Sequence, residues 1–381
     1  EITKRITQLE LEHKFKQRQQ EEEMRQRQKE KEHQAELKRT RDLRNFFIAA
    51  FGLMILLAFF IFRNYRMKQK ANKLLAEQKE EIQARSDALK KANEAITKQN
   101  QIIEKKNKSI TASINYAEHI QSAMLPEIEQ IRRNLPNTFI LFKPRDIVSG
   151  DFYWSSDILV EPDGTVQALY GNKKVENYYD INATRKTIIT AVDCTGHGVP
   201  GAFMSMIGDS YLNQIINLQG ITEPHIILGE LHKNVRKALR QDETRNSDGM
   251  DMALCVIDKE NQILEFAGAM NPLVYIQDDE INIIDGDKTS IGGLQREERR
   301  TFTKHTIDIS KPTTFYIFTD GYADQFGGQH GRKLMTKKFY KILHEIHQKP
   351  ANEQKAELEG FINEWIGSRY RQIDDILVIG V

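Results

Sequence analysis

Four aspartates in the second half of the chain share a local setting that could carry chemistry. Each lies at an end of an apolar run, beside a small or turn-forming residue: Asp151 in VSGDFYW, Asp193 in TIITAVDCTGHG, Asp320 in FYIFTDGYAD and Asp374 in QIDDILVIGV. Carboxylates held where strands enter turns repel one another unless cations neutralise them. A single Asp of this kind is more often a turn or cap residue. Four in matching contexts predict a two-metal site.

The donor types indicate which metal such a site would hold. Carboxylate oxygens suit hard divalent cations such as Mg²⁺ or Mn²⁺, and the sequence has no His/Cys cluster with zinc spacing. Cys194 and Cys255 are the only two cysteines, so the chain has no disulfide framework. This cysteine usage is typical of a reducing compartment.

The segment GHGVPG offers a competing interpretation. Gly196, Gly198 and Gly201 have the spacing G-x-G-x-x-G between a predicted strand and a predicted helix, as in dinucleotide-binding folds. Asp193 would repel a pyrophosphate at that turn, and no parallel partner strand with a suitably placed acidic residue is evident. Glycines that let the backbone fold tightly around metal and water explain the segment better.

Residues 126–381 read as one domain of the α+β class. Short β-branched and aromatic runs separated by Gly, Asp and Pro predict strands, and strands mostly follow strands. The predicted strands span residues 187–192, 252–258, 263–267, 273–276, 315–319 and 376–381, and the predicted helices span residues 199–218, 224–240 and 354–367.

The first part of the chain predicts a membrane anchor. Residues 1–45 read as a charged exposed helix, and residues 46–62 are an uncharged apolar run between Arg44 and Arg63. Such a run approaches the thickness of the hydrocarbon core, and the flanking arginines can snorkel. A buried core helix is the alternative, but the run shows no amphipathic period. Basic residues on both sides leave the orientation open, and the reducing context favours a cytoplasmic C-terminal domain.

Residues 63–125 carry a heptad repeat. The apolar d positions are Leu75, Ile82, Leu89, Ile96, Ile103, Ile110, Ala117 and Met124. The a positions are Asn72, Lys79, Ser86, Asn93, Asn100, Asn107, Ile114 and Gln121. Polar a residues favour two strands at a cost in stability, so the pattern predicts a marginal parallel dimer, suited to a signal-transmitting stalk. A solvated single helix is the alternative, because one of the two seam positions is mostly polar.

Composition divides the chain in the same way. The formal net charge is +1, which excludes a strongly basic nucleic-acid binder, and we expect no nucleic-acid partner. Residues 1–125 hold 26 Lys/Arg and 17 Asp/Glu, a net charge of +9, which leaves −8 for residues 126–381. The second part is long enough for a sizeable core.

Several motifs together resemble one enzyme family. They are KPRDIVSGDFYW, AVDCTGHGVPGAFMSMIG, NSDGMDMALCVID, LEFAGAMNPLVYI, FTDGYADQFGG and IDDILVIGV, in order across residues 143–381. This set is similar to the SpoIIE-like branch of the metal-dependent PPM-type serine/threonine protein phosphatases. NYAEHIQSAMLP also resembles the helical segment that precedes such domains in bacterial signalling proteins.

The resemblance implies a fold and a set of metal ligands. The expected fold is a four-layer α/β-β/α sandwich with two Mn²⁺ or Mg²⁺ ions at one end. Asp193 would bridge the ions, and the backbone carbonyl of Cys194 would add a ligand. Asp320 and Asp374 would hold the second ion, and Asp151 would bind directly or through water. A metal-activated water would then attack phosphorus in line, without a covalent phosphoenzyme.

Further residues of the same motifs have open roles. His197 in GHG could protonate the leaving serine oxygen, although the acid His of animal relatives occupies the place of Thr195. Asp251 could contact substrate or a third metal, or act as a cap. Asp375 is better explained as a supporting residue than as a ligand. Residues 161–180 read as an inserted hairpin or loop.

Together these patterns predict a membrane-anchored, single-pass, dimeric signalling phosphatase with a cytoplasmic catalytic domain. Its substrate would be phosphoserine or phosphothreonine on a regulatory protein, which in the resembled branch is often a phosphorylated anti-sigma-factor antagonist. A catalytically silent receptor or scaffold is one alternative. A sensor histidine kinase that uses His119 is another, although no glycine-rich nucleotide-binding boxes follow it.

Overall fold

The computed structural model describes residues 2–169, 183–294, 297 and 299–381. Contacts divide the chain into two compact units, Glu1–Ile103 and Glu104–Val381. The predicted segment 161–180 is described only to residue 169. Within this part, a tight turn at residues 161–165 joins two strands. The remainder of that segment lies outside the described residues.

One helix, α1 (Ile2–Met124), contains the three N-terminal segments predicted separately. It has no proline, and the first proline of the chain, Pro126, follows its last residue. By length and composition, α1 is the one helix of the described chain that could cross a membrane. Its apolar residues 46–62 are exposed to solvent, apart from the half-buried Ala50.

The heptad seam has two environments along α1. In the first unit its apolar residues are open to solvent, with Leu75, Ile82 and Leu89 each about two-thirds exposed (66%, 68% and 66%). Near the end of α1, in the second unit, Gln121 is buried and Met124 is half-buried. The last two seam positions of each type are therefore packed within the second unit, whereas the earlier ones are exposed.

The first sheet of the second unit is antiparallel and has the strand order β10-β6-β5-β4-β2-β3, with β9 paired to β5. Its strands are β2 (Phe152–Val160), β3 (Val166–Ala168), β4 (Thr184–Cys194), β5 (Gly249–Asp258), β6 (Ile263–Ala269), β9 (Ile291–Gly292) and β10 (His305–Asp308). The central strands β4 and β5 are buried almost throughout, as expected of strands covered on both faces.

The second sheet is also antiparallel and has the order β1-β14-β11-β7-β8. Its strands are β1 (Phe139–Lys143), β7 (Leu273–Gln277), β8 (Glu280–Ile284), β11 (Thr313–Phe318) and β14 (Ile376–Gly380). A separate two-stranded ribbon pairs β12 (Phe326–Gly327) with β13 (Arg332–Lys333).

Helices cover the outer faces of both sheets. The short helix α2 (Ile128–Asn134) is not one of them, because its Ile131 packs into the cluster between the sheets. The covering helices are α3 (Gly198–Leu212) with a π-helical extension (Asn213–Leu218), α4 (Pro224–Ala238), α5 (Gly321–Asp324), α6 (Thr336–Ile346) and α7 (Ala351–Ile366). Three buried apolar clusters separate the layers: one under α3 and α4, one between the sheets, and one under α6 and α7. The predicted α+β class and four-layer sandwich are confirmed.

All six predicted strands and all three predicted helices are present, with shifted ends. The strand predicted at 187–192 extends to Thr184–Cys194, and the helix predicted at 199–218 is divided into α3 and the π-helical turn. The missed elements include β1, β2, α6 and short strands whose pairing comes from distant residues.

Candidate active site

The predicted carboxylates meet at one end of the sandwich, which we call the carboxylate edge. Asp151 directly precedes β2, and Asp193 lies at the end of β4, the neighbour of β2. In the second sheet, Asp320 follows β11 and Asp374 precedes β14, its antiparallel partner. Because neighbouring antiparallel strands end and begin at the same edge, residues far apart in sequence come together there.

The carboxylates at the carboxylate edge repel one another. Burial, together with repulsion from Asp320 and Asp374, raises the pKa of Asp193 to about 8. Desolvation and repulsion from Asp374 raise the pKa of Asp320 to about 6. Asp320 is exposed as a residue, so water screens its charge and its shift is the smaller one. Protonation or a bound cation would relieve the repulsion among these carboxylates.

Asp151 is held by the second sheet. It is only 3% exposed, and Thr319 Oγ1 donates a 2.6 Å hydrogen bond to its Oδ2. Thr319 Oγ1 also accepts a 3.1 Å hydrogen bond from the backbone N–H of Leu377. Burial and the charge of Asp193 raise the pKa of Asp151, although the Thr319 bond acts in the opposite direction. Thr319 therefore joins a carboxylate of one sheet to a strand of the other.

Asp375 supports the loop that carries Asp151. It is 2% exposed, and its two carboxylate oxygens accept backbone N–H groups from Arg145 at 2.6 Å and Gly150 at 2.7 Å. The neighbouring Asp374 is half-buried and accepts a 2.9 Å hydrogen bond from the N–H of Asp375. Burial raises the pKa of Asp374, although that backbone bond lowers it. The geometry agrees with a supporting role for Asp375.

The Cys194 carbonyl is closely approached by backbone. A Cβ at Gly150 would lie 3.3 Å from that oxygen and 2.4 Å from the carbonyl of Gly196, so only glycine fits there. The Cys194 side chain is buried in the apolar cluster under α3, and burial raises the pKa of its thiol. The side chain is thus a core residue.

The GHG turn forms a tight connection between β4 and α3. Gly196 and Gly198 have φ values of +86° and +65°, which favour glycine. Thr195 fixes the turn, because its N–H donates to Gly249 O at 2.9 Å and its Oγ1 accepts from Gly249 N–H at 3.1 Å. Both neighbours of β4 are antiparallel, so the dinucleotide-binding alternative is wrong.

His197 lies at the start of α3 and has a partner that sequence reasoning missed. Its Nδ1 is 2.8 Å from Asp146 Oδ2, and both side chains are about half exposed (47% and 45%). Asp146 precedes Asp151 by five positions, and no sequence signal pairs it with His197. The positive charge of His197 is one of the weaker influences that lower the pKa of Asp374, which places it near the carboxylate edge.

Asp251 lies opposite Asp193 across the β4–β5 pairing. It is half-buried, and burial raises its pKa while a hydrogen bond with Ser290 lowers it. Its charge also contributes to the raised pKa of Asp193. The structure thus places Asp251 next to the predicted ligands.

A second missed residue links α1 to this edge. Gln121 Nε2 donates to Ser149 O at 2.6 Å and to Ser205 Oγ at 2.8 Å, and Gln121 Oε1 accepts from Ser149 N–H at 3.0 Å. Ser149 lies two residues before Asp151. The heptad pattern assigned Gln121 to the seam, whereas the structure connects it to the Asp151 loop and to α3.

The donor set fits hard divalent cations. In the described part of the chain, no three His, Cys, Asp or Glu side chains are arranged closely enough to enclose an ion. The carboxylate edge nevertheless gathers oxygen donors whose raised pKa values arise partly from mutual repulsion. Divalent cations relieve such repulsion, and Mg²⁺ and Mn²⁺ prefer oxygen donors. Asp193, Asp320, Asp374, Asp151 and the Cys194 carbonyl could therefore hold them.

Comparisons with known proteins assign the second half of the chain to a family. The family model for stage II sporulation protein E (SpoIIE) matches residues 183–381, just over half of the chain. A search of curated proteins gave no match.

Two solved structures are similar to this chain, and the first of them supports the same family. The SiaA-PP2C domain of Pseudomonas aeruginosa is 30% identical with a TM-score of 0.59, and the match covers 72% of this chain and 97% of that chain. The PP2C phosphatase domain of SpoIIE from Bacillus subtilis, solved with a fragment of its regulatory domain, is 15% identical with a TM-score of 0.45, over 64% of this chain and 60% of that chain. The chain therefore belongs to the SpoIIE family and is a metal-dependent, PP2C-type serine/threonine protein phosphatase.

Proposed function

We propose that this phosphatase is anchored in the membrane by residues 46–62, dimerises through its stalk, and dephosphorylates a regulatory protein. The observation that carries the catalytic part is the set of mutually repelling carboxylates at one edge of the sandwich. The silent-receptor alternative is disfavoured because all four predicted side-chain ligands are carboxylates. The histidine-kinase alternative is wrong, because the domain after α1 is a phosphatase domain.

We assign these residues the roles that the resemblance to the family implies. Asp193, Asp320 and Asp374, with the Cys194 carbonyl, would hold two Mn²⁺ or Mg²⁺ ions, and Asp151 would bind directly or through water. The bound ions supply an activated water and stabilise charge on the phosphoryl oxygens. Thr319 and Asp375 orient the carboxylate and the loop of Asp151. His197 would deliver a proton to the leaving serine oxygen.

The catalytic proposal is tested with the full chain in detergent, a phosphoserine peptide and Mn²⁺. We expect phosphate release that is lost on replacing Asp193 or Asp320 with Asn. Glu260→Gln is the matched control, because Glu260 is an exposed carboxylate in the turn after β5, at the opposite end of the sandwich. Activity that survives replacement of both aspartates would sink the proposal.

The membrane proposal rests on the apolar run of α1 and its flanking basic residues. The phosphatase domain would lie in the cytoplasm, where its two buried cysteines stay reduced. Protease treatment of intact spheroplasts and of inverted vesicles tests the orientation. A C-terminal tag digested in intact spheroplasts would contradict a cytoplasmic domain.

The substrate proposal is a phosphorylated regulatory protein, in keeping with the serine/threonine phosphatase family. An anti-sigma-factor antagonist is the first candidate. Phosphoproteomes of cells with the wild-type protein and with Asp193→Asn would identify it. The proposal requires at least one phosphoserine or phosphothreonine site that accumulates in the variant, and the same site must be released by the purified wild-type protein.

A further inference from the structure

The pairing of His197 with Asp146 has a chemical consequence. The two side chains come from different loops, 51 positions apart in sequence, and are joined by a 2.8 Å contact between Nδ1 and Oδ2. A carboxylate can only accept, so Nδ1 of His197 carries the proton of this hydrogen bond. The other ring nitrogen, Nε2, is then free to face a reacting group.

The backbone on both sides of the pair is fixed. The N–H of Arg145, next to Asp146, donates to the buried Asp375 at 2.6 Å. His197 lies between two glycines with positive φ, and a Cβ at Gly198 would lie 3.4 Å from Asp146 Oδ2. The turn therefore leaves room for the carboxylate beside the ring.

The pair is poorly explained as a stabilising ion pair. Both side chains are about half exposed, and exposed pairs contribute little to stability. An exposed His–Asp pair at the carboxylate edge is better explained by its effect on the orientation of the imidazole.

We propose that Asp146 is a positioning residue that holds His197 through Nδ1, so that Nε2 can deliver a proton to the leaving oxygen of the phosphoester. This inference rests on the proposed proton-donor role of His197. In the step, water forms a new P–O bond while the bond from phosphorus to the serine oxygen breaks, and its electron pair stays on that oxygen. Nε2 gives that oxygen its proton, the attacking water loses one to solvent, and His197 is reprotonated from solvent.

Two substrates with different leaving groups can distinguish this positioning role of Asp146 from a purely structural role. A serine alkoxide is a poor leaving group and needs the proton, whereas p-nitrophenolate leaves readily without one. We therefore compare a phosphoserine peptide with p-nitrophenyl phosphate, using the full chain in detergent with saturating Mn²⁺. The variants are Asp146→Asn, His197→Gln, their double mutant and the partial rescue Asp146→Glu.

The expected losses differ between the two substrates. On the phosphopeptide, His197→Gln should lower kcat by about 100-fold and Asp146→Asn by about tenfold. On the aryl ester, both losses should be at least ten times smaller. The double mutant should be no slower than His197→Gln, because Asp146 acts only through His197. Asp146→Glu should recover part of the peptide activity.

Asp279→Asn is the matched control. Asp279 is also an exposed Asp beside histidines, with Oδ1 3.5 Å from His344 Nε2 and 3.6 Å from His347 Nε2. It lies in the turn between β7 and β8, at the opposite end from the carboxylate edge. Its replacement should leave both activities unchanged.

A second measurement does not depend on activity. In the ¹⁵N-histidine NMR spectrum of the metal-free protein, the signals lost in His197→Gln identify that residue. Asp146→Asn should change its tautomer pattern, and Mn²⁺ affinity by calorimetry should stay within about twofold of wild type.

Two kinetic results would overturn the proposal. One is an equal loss of activity on both esters in Asp146→Asn, and the other is that the losses of activity in the Asp146 and His197 variants multiply in the double mutant. An unchanged His197 spectrum in Asp146→Asn would also overturn it. A wild-type protein inactive on both esters would instead refute the catalytic assignment itself.

Discussion

The side-chain amide of Gln121 clamps the peptide groups of Ser149, donating to its carbonyl at 2.6 Å and accepting from its N–H at 3.0 Å. Asp151, two residues after Ser149, is a predicted metal ligand. The end of α1 and the Asp151 loop are thus one hydrogen-bonded structure. A change in the position of this helix end would reach the loop directly.

Replacing Gln121 with Ala should therefore impair both stability and activity. Three hydrogen bonds at a buried position are lost, and partners left unsatisfied cost about 1–3 kcal/mol. Misplacement of the Asp151 loop should lower kcat by about tenfold or more. Denaturant unfolding and phosphopeptide kinetics check both effects.

Ser122→Ala is the control for Gln121, because Ser122 is the exposed neighbour on the same helix and bonds only to Glu118 in the described structure. It should behave as wild type. Wild-type kinetics in Gln121→Ala would mean that the clamp has no part in positioning Asp151.

Replacing Asp193 with Asn should abolish activity but stabilise the metal-free protein. The carboxylate is buried among like charges, and an amide of the same size removes that repulsion. We expect at least about 1 kcal/mol of added stability in EDTA. Stabilisation by added Mn²⁺ should largely disappear, since binding to the folded state is lost. Urea unfolding with and without metal measures both, and a metal-free variant less stable than wild type would contradict the predicted repulsion.

The stability of the metal-free protein should fall as pH rises. Unfolded Asp has a pKa near 4, whereas folded Asp193 has a pKa of about 8 and Asp320 of about 6. Between these values the folded state holds protons that the unfolded state has released, so raising the pH favours unfolding. The decline should run from about pH 4 to about pH 8 and be shallower in Asp193→Asn. Excess Mn²⁺ should remove most of it, and unfolding midpoints across this range would show it.

Replacing Thr319 with Val should weaken metal binding through Asp151. The hydroxyl both donates to Asp151 and accepts from Leu377 N–H, so Val leaves two buried groups without this partner. We expect a destabilisation of about 1–3 kcal/mol and about a tenfold higher Mn²⁺ requirement. Thr319→Ser keeps the hydroxyl and serves as the control. Equal Mn²⁺ requirements in the Val and Ser variants would argue against this orientation role.

Dimerisation should depend on the open part of the seam. Replacing Leu89 and Ile96 with Asn removes two apolar d residues that are exposed in the single chain, and should shift the detergent-solubilised protein toward monomer. Conversely, replacing Asn93, Asn100 and Asn107 with Ile should stabilise the dimer and fix one packing of the stalk. Analytical ultracentrifugation gives the mass, and phosphatase assays give the effect on activity.

Lys91→Asn changes an exposed f position on the side of the helix away from the seam and should leave the mass unchanged. If the Leu89 and Ile96 variant keeps the wild-type mass, the heptad repeat is not the dimer contact. Unchanged activity of the Asn-to-Ile variant in membranes would count against a switching stalk.

Features that depend on local sequence patterns could be predicted from the amino-acid sequence. The apolar run, the absence of proline and the heptads specify α1, and short apolar runs rich in β-branched residues specify β4, β5 and β14. Asp193, Asp320 and Asp374 could be identified because each ends or begins such a run. Local backbone preference and hydrophobic period act within a few residues, so they can be read from one segment.

The contacts between residues distant in sequence could not be predicted, because they depend on the folded arrangement of the sheets. Asp146 and His197, Asp151 and Thr319, and Gln121 and Ser149 are separated in sequence by 51, 168 and 28 positions. Their contacts depend on strand order and on the packing of two sheets, which no single segment specifies. The raised pKa of Asp193 has the same origin. Its burial depends on the packing of the folded chain, and the repulsion is a sum over carboxylates from several strand ends.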